Sequence, residues 1–188
     1  MDSFRWIAVA LSMILGLGVT RLLSAVVAVF RSRHHAQLDW VPLVWTGCIF
    51  LWQLQYWWAI IELPGLIKAW TLRSFLMLVS LTLLLFVSAA LVLPPSELGE
   101  EVSLRTSFER DGRWALVSLS TYFGLALVTD WLLWSLSPFS LSGAMLVLLI
   151  LLPLGFVWSR SRPVQEAITI LYVPLSIWAA LELSPASY

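Results

Sequence analysis

Residues 74–93 read SFLMLVSLTLLLFVSAALVL, twenty consecutive residues without a charged side chain. Arg73 precedes this stretch, and Pro94 and Pro95 follow it, so both of its ends are marked. A helix needs about 20 apolar residues to cross the roughly 30 Å of hydrocarbon in a bilayer. The stretch therefore predicts a transmembrane helix.

The composition of the whole chain agrees with this prediction. Of its 188 residues, 60% are hydrophobic and 12% are charged, and the mean hydropathy is +0.90. Soluble domains are about half apolar and about a quarter charged. We predict an integral membrane protein whose residues 1–188 form a single membrane domain.

Other apolar runs of similar length flank the first one, separated by charged residues, prolines or glycines. They predict an all-α bundle of about six transmembrane helices, joined by short connections and one hydrophilic loop at residues 94–113. The predicted spans are residues 6–30, 41–63, 74–93, 114–134, 141–158 and 164–181. Several of the 12 tryptophans lie near the ends of these spans, at the depth of the lipid headgroups that indole rings prefer.

The orientation follows from the basic residues, because cytoplasmic loops hold the excess of Lys and Arg. With the amino terminus outside, seven basic residues lie in cytoplasmic loops: Arg31, Arg33, Arg105, Arg110, Arg113, Arg160 and Arg162. Three lie outside: Arg5, Lys68 and Arg73. We therefore expect both termini on the outer side of the cell inner membrane.

The first and fourth spans are similar to each other. Trp6, Ser12 and Gly16 match Trp114, Ser120 and Gly124, and Arg21 falls opposite Asp130. Three spans in each half would give two inverted three-helix repeats, which many secondary transporters contain. Chance similarity among leucine-rich helices is the alternative.

Arg21 is the most informative polar residue within a span. A charged residue there needs a partner, an aqueous cavity or access to the interface. One interpretation pairs Arg21 with Glu166 or Gln53 in a gate or an anion site. In the other, its long side chain reaches a lipid phosphate.

Glu62 and Asp130 are expected near the outer ends of their helices, close to Gln55 and several aromatic residues. Carboxylates beside aromatic rings suit a cationic ligand or a proton relay. The alternative is an aromatic belt with hydrated acids, which we favour.

Small residues recur at every fourth position of the first span: Ser12, Gly16, Thr20 and Ser24. Such a pattern lets another helix approach closely, so we predict a packing surface within the bundle or across a dimer.

Enzymatic activity is not expected. Both histidines lie in a loop at positions 34 and 35, and Asp130 is the one aspartate within a predicted span, so neither a buried Ser/His pair nor a two-aspartate protease can be assembled. The single cysteine and the adjacent histidines predict no metal site, and we expect no cofactor. A net charge of zero without a basic run argues against nucleic acid as a partner.

The strings GLGVTRLLSAVVAVFRSR (16–33), WVPLVW (40–45) and LWQLQYWWAIIEL (51–63) resemble a pattern found in small uncharacterised bacterial membrane proteins. The resemblance implies a bacterial origin. It implies no activity and transfers no functional residue.

Two functions remain open at this point. The first is a structural or accessory inner-membrane protein that binds lipid, a second copy of itself or a partner protein. The second is a small transporter or channel built on the inverted repeat.

Overall fold

The computed structural model describes residues 2–34, 37–66, 71–94, 103–134 and 140–183. Every regular element in these ranges is a helix, which confirms the all-α prediction. The helices are α1 (Asp2–Arg31, with a 3-10 turn at Ser32–His34), α2 (Trp40–Leu66), α3 (Leu72–Leu91), α4 (Leu104–Ser107), α5 (Arg113–Trp134), α6 (Leu141–Trp158) and α7 (Arg162–Glu182). The six long helices each overlap one predicted span.

Local chemistry explains where several helices begin. The Thr71 hydroxyl accepts the N–H of Ser74 at 3.2 Å, and the Ser140 hydroxyl accepts the N–H of Gly143 at 3.1 Å. Each hydroxyl satisfies one of the N–H groups that have no partner within the helix. At the start of α7, Pro163 needs no such partner because it has no N–H.

The six long helices alternate in direction and form a ring. Going round it, α1 packs on α3, α3 on α5, α5 on α6, α6 on α7, and α7 on α2, which returns to α1. Serine hydroxyls on α5 bond to both neighbouring helices: Ser118 donates to the Leu84 carbonyl of α3 at 2.9 Å, and Ser120 to the Ile150 carbonyl of α6 at 3.1 Å. Donation of this kind satisfies buried hydroxyls in an apolar interior.

Aromatic side chains of α2 fill the centre of the ring. Trp45 packs between Phe156 of α6 and Tyr172 of α7, with ring centroids at 5.6 and 4.5 Å. Trp52 meets the Phe123 ring of α5 edge-on at 4.7 Å. Edge-to-face pairs of this kind contribute about 0.5–1.5 kcal/mol each beyond the area that they bury.

The order of the ring does not reproduce the contacts that the predicted inverted repeat would require. If α1, α2 and α3 corresponded to α5, α6 and α7, the α1–α3 contact would require an α5–α7 contact, and the α3–α5 contact would require one between α7 and α1. In the part of the chain that the structure describes, neither pair makes substantial contact. The matching residues of the first and fourth spans are therefore not accompanied by matching helix contacts.

The predicted loop at 94–113 is helical in its second half. A π turn at Phe108–Gly112 joins α4 to α5. Leu104 and Phe108 are buried, and the Phe108 ring meets the Phe156 ring edge-on at 5.8 Å. A side chain on Gly112 would overlap the Phe108 ring, so the turn needs glycine at this position. The burial of two apolar residues four apart explains why this charged segment folds.

Four described helices are long and apolar enough to cross a membrane: Phe4–Arg31, Leu72–Leu91, Leu141–Trp158 and Arg162–Glu182. Large apolar side chains stand exposed along them, among them Leu23, Leu83, Leu148 and Leu171. A soluble protein rarely exposes such continuous apolar surface. These helices indicate a membrane protein.

Candidate functional site

Seven arginines lie in segments at one end of the bundle. The starts of α2, α4 and α7 meet there: Leu104 donates its N–H to the Gln37 carbonyl at 3.1 Å, and Arg162 contacts Asp39. The segments with the seven arginines counted above as cytoplasmic are all connected to this end, which we call the basic end. The predicted clustering of these residues is thus reproduced by the fold.

A three-residue ion cluster joins α2 to α7 at the basic end. The guanidinium of Arg162 donates to Asp39 Oδ1 and to Glu166 Oε1, both at 2.7 Å. Asp39 Oδ1 also accepts the N–H of Val41 at 3.1 Å, so this carboxylate caps α2. Glu166, predicted as a partner of Arg21, is paired within its own helix instead.

The Asp39 side chain is only 8% exposed and is nevertheless ionised. Burial opposes its charged form, but the hydrogen bonds from Arg162 and from the Val41 N–H, together with the Arg162 charge, hold the pKa of the carboxyl below its ordinary value. At neutral pH, the cluster therefore joins the start of α2 to the start of α7 through ion pairs.

Arg21 lies on the seam between α1 and α3. Its guanidinium donates to the Ala90 carbonyl at 3.2 Å. Ala90 belongs to the last turn of α3, where carbonyl groups lack partners within the helix and the helix dipole favours a cation. The predicted pairing with Glu166 or Gln53 is wrong, because α3 supplies the acceptor.

Gln53 is completely buried between α1, α2 and α3. Its amide lies against Gly18 and near the backbone of Phe86, and a side chain at position 18 would overlap the amide nitrogen. Among the described residues, neither the nitrogen nor the oxygen of the amide has a hydrogen-bond partner. Gln55, on another side of α2, is partly exposed.

The remaining predicted polar residues are Glu62 and Asp130. Their backbone positions lie in α2 and α5, but their side chains are outside the described part of the structure. The hypothesis of a carboxylate site near aromatic rings therefore stays a prediction.

The small-residue pattern on α1 does not face another helix in the part of the chain that the structure describes. Thr20 and Ser24 are exposed, Ser12 is half-buried, and a methyl group added to Gly16 would meet no atom within 4 Å. The predicted packing within the bundle is wrong. α1 instead packs through another face, which contains Leu11, Leu15, Gly18, Leu22, Ala25 and Val29.

The sequence interpretation missed a polar face on α7, formed by Gln165, Thr169, Tyr172 and Ser176, which is buried against α2. Near the basic end its groups are paired: Gln165 donates to the Ser159 carbonyl at 2.9 Å, and Thr169 accepts the indole N–H of Trp45 at 3.1 Å. The sequence did contain a signal for this face: the four residues are spaced by four, three and four positions, and such spacings place side chains on one face of a helix.

Further along α7, the buried polar groups are close to one another. The hydroxyls of Tyr172 and Ser176 and the indole N–H of Trp52 make no hydrogen bond of ordinary length and angle to a described residue, but the Tyr172 hydroxyl interacts with both Ser176 and Trp52. These groups are adjacent, since Tyr172 lies beside both Ser176 and Trp52, and Cys48 lies beside Ser176. Together with Cys48, these side chains form a small polar group in the interior between α2 and α7.

No group of three His, Cys, Asp or Glu side chains among the described residues could hold a metal ion. No family model, curated protein or solved structure matches the chain significantly.

Proposed function

We propose that the chain is an integral protein of a bacterial inner membrane, in which all six long helices cross the bilayer, and that it serves as a structural or accessory component. Its ligands on this proposal are membrane lipid and either a second copy of the chain or a partner membrane protein. The bacterial assignment rests on the resemblance of residues 16–63 described above.

The observation that carries the membrane assignment is the spacing of exposed tryptophans on α2 and α5, the two long helices outside the four apolar ones. Trp40 and Trp57 on α2 are 17 residues apart, and so are Trp114 and Trp131 on α5. Both pairs are therefore separated by about 25 Å of helix rise, close to the roughly 30 Å thickness of the hydrocarbon. Indole rings prefer the two boundaries of that layer.

The basic end is assigned to the cytoplasm, since its arginines outnumber the basic residues of the opposite end. Both termini then lie on the outer side. Trp158, which is 80% exposed beside Arg160, would reach the cytoplasmic headgroups.

The accessory role is supported by how the described charged groups are used. Arg162 joins α2 to α7, Arg21 binds the end of α3, and Arg105 pairs with Glu109 at 2.7 Å on the surface. Charged residues inside membranes usually mark ion or substrate pathways. Here their contacts stabilise helix ends, which fits a bundle whose outer surface makes the functional contacts.

Native mass spectrometry of the chain released from nanodiscs of phosphatidylethanolamine and phosphatidylglycerol tests this role. We expect a defined oligomer or retained lipid. Gly16→Leu should lower the amount of oligomer or of retained lipid, because the leucine side chain fills the open face of α1. Met13→Leu, at another exposed position of α1, should leave both amounts unchanged. A bare monomer for all three proteins would contradict the proposal.

A small transporter or channel is the second candidate. The inverted repeat no longer supports it, but the polar face of α7 does, because it continues from the basic end into the bundle. Single cysteines at positions 21, 53 and 130 test this candidate. Labelling by a water-soluble maleimide at all three positions would favour it over the accessory role, and protection of all three would remove it.

A further inference from the structure

Arg21 lies level with the end of α3 that is nearest the basic end. The helices α1 and α3 run in the same direction and pack on each other, and a Cβ atom on Gly18 would lie 3.6 Å from the Phe86 Cα. Three residues further along α1, Arg21 donates to the Ala90 carbonyl. α3 ends at the next residue, Leu91. The guanidinium therefore lies where α3 leaves the apolar layer.

The opposite ends of the two helices agree with this depth. Arg5 and Arg21 are 16 residues apart on α1, and Arg73 and Ala90 are 17 residues apart on α3. Both stretches are about 24–26 Å long, close to the roughly 30 Å thickness of the hydrocarbon. On the proposed function, Arg5 and Arg73 then lie at the outer headgroups and Arg21 lies at the cytoplasmic headgroups.

The seam between α1 and α3 is lined with exposed apolar side chains on the hydrocarbon side of Arg21. Arg21 itself is partly exposed, and Leu17, four residues before it, is exposed. On α3, Leu83 and Val87 are exposed, and their spacing places them on the same side of the helix as Ala90. Two apolar rows therefore lead along the seam to the guanidinium, and an acyl chain lying there would contact both.

The chemistry of Arg21 suits a phosphate. Its bond to the neutral Ala90 carbonyl uses one of five N–H donors and does not neutralise its charge. The carboxylates of the ion cluster, Asp39 and Glu166, bind Arg162 instead. A guanidinium presents its donors in a planar fork that matches the oxygens of a phosphate group. Arg21 therefore combines a positive charge, headgroup depth and an adjacent apolar seam.

We propose that Arg21 and the seam formed by Leu17, Leu83 and Val87 bind one anionic glycerophospholipid. Its phosphate pairs with the guanidinium, and one acyl chain lies between α1 and α3. A zwitterionic lipid binds less tightly, because its own ammonium group offsets part of the attraction. This inference rests on the proposed function and names the class and the place of one lipid that the chain retains.

Native mass spectrometry of the full chain in detergent, titrated with phosphatidylglycerol or phosphatidylethanolamine, tests the site. For the first bound phosphatidylglycerol, we expect Arg21→Gln to raise the Kd about tenfold. Arg21→Lys keeps the charge but loses the fork, and should raise it about threefold. Arg110→Gln is the matched control, since Arg110 is a 79% exposed cation of the basic end. An equal rise in Arg110→Gln would mean that overall charge binds the lipid, and would overturn the site.

Leu17→Trp tests the seam without removing the Arg21 contact with α3, so it also serves if Arg21→Gln does not fold. It should raise the Kd for phosphatidylglycerol about threefold by obstructing the acyl chain. Val9→Trp, also exposed on α1 but about three turns from Arg21, should leave the Kd unchanged.

Two further outcomes would overturn the proposal. The first is an unchanged Kd in both Arg21→Lys and Leu17→Trp; a wild-type chain that still retains lipid or forms an oligomer would then leave the proposed function standing. The second is displacement of the lipid by millimolar inorganic phosphate, which would identify a site for free anions. A wild-type chain that retains neither lipid nor a second copy would contradict the proposed function itself.

Discussion

At the scale of single residues, Asp39 has two separable roles. Its carboxylate caps α2 and pairs with Arg162. We expect Asp39→Asn, which keeps an oxygen for the cap, to destabilise the fold by about 1 kcal/mol, and Asp39→Ala to cost about 2–3 kcal/mol. Arg162 retains Glu166 in both variants, which limits the loss. Equal free energies of unfolding for the two variants would show that the cap contributes nothing.

The same carboxylate gives a pH dependence. Because its pKa is lowered in the folded state, the stability that it contributes is fully present above the unfolded pKa of about 3.9 and is lost as the pH falls through the folded value. The difference in Tm between wild type and Asp39→Asn should stay constant from pH 7 to about pH 5 and shrink below about pH 4. A difference that already disappears near pH 6 would contradict the ion pair.

Gly18 and Gln53 form a second residue-scale test. Gly18→Ala should cost about 1–3 kcal/mol, because the new methyl group overlaps the Gln53 amide. Gly16→Ala, on the open face of the same helix, should be neutral or slightly stabilising. In a Gln53→Ala background the cost of Gly18→Ala should largely vanish. An unchanged cost in that background would mean that the backbone of α3 near Phe86, rather than Gln53, limits the space.

The sequence could indicate which residues are unusual but not what they touch. Arg21 and Gln53 stand out because polar side chains in apolar runs are rare. Their contacts, to the Ala90 carbonyl and to Gly18, depend on which helices become neighbours. Backbone acceptors are present at every position, so no residue pattern points to Ala90.

At the scale of elements, helix bounds were predictable and helix faces were less so. The run 141–158 matches α6 because polar loops and caps end it on both sides. On α7, Thr169, Tyr172 and Ser176 were missed because each is only weakly polar, and Gln165 because it lies next to charged residues at the start of the span. Their common face appears only when they are placed on a helix.

The segment of α4 and the π turn supplies the element-scale prediction. Phe108→Ala should destabilise the fold by about 3–4 kcal/mol, since its buried ring packs on Phe156 and Gly112. Thr106→Ala, exposed in the same segment, should change stability by less than about 0.5 kcal/mol. Chemical denaturation followed by circular dichroism measures both. A neutral Phe108→Ala would mean that 104–112 is not packed against the bundle.

At the scale of the whole molecule, the number of helices followed from hydropathy and their order in the ring did not. Any two apolar helices can pack in lipid, so the choice of neighbours depends on shape. Gly18 against Gln53 and Phe108 against Phe156 are shape matches of this kind. The similar sequences of α1 and α5 likewise did not give these two helices similar neighbours.

The most direct test of the central claim, a six-helix membrane protein with its basic end in the cytoplasm, is single-cysteine labelling in a Cys48→Ala background. Cysteines are placed at the exposed positions Arg5, Leu83, Arg110 and Leu148, and intact or opened bacterial cells are treated with an impermeant maleimide. We predict labelling of position 5 in intact cells, of position 110 only after opening, and of positions 83 and 148 in neither. Labelling of positions 83 and 148 in intact cells would contradict the claim. Labelling of position 110 but not of position 5 in intact cells would contradict it as well.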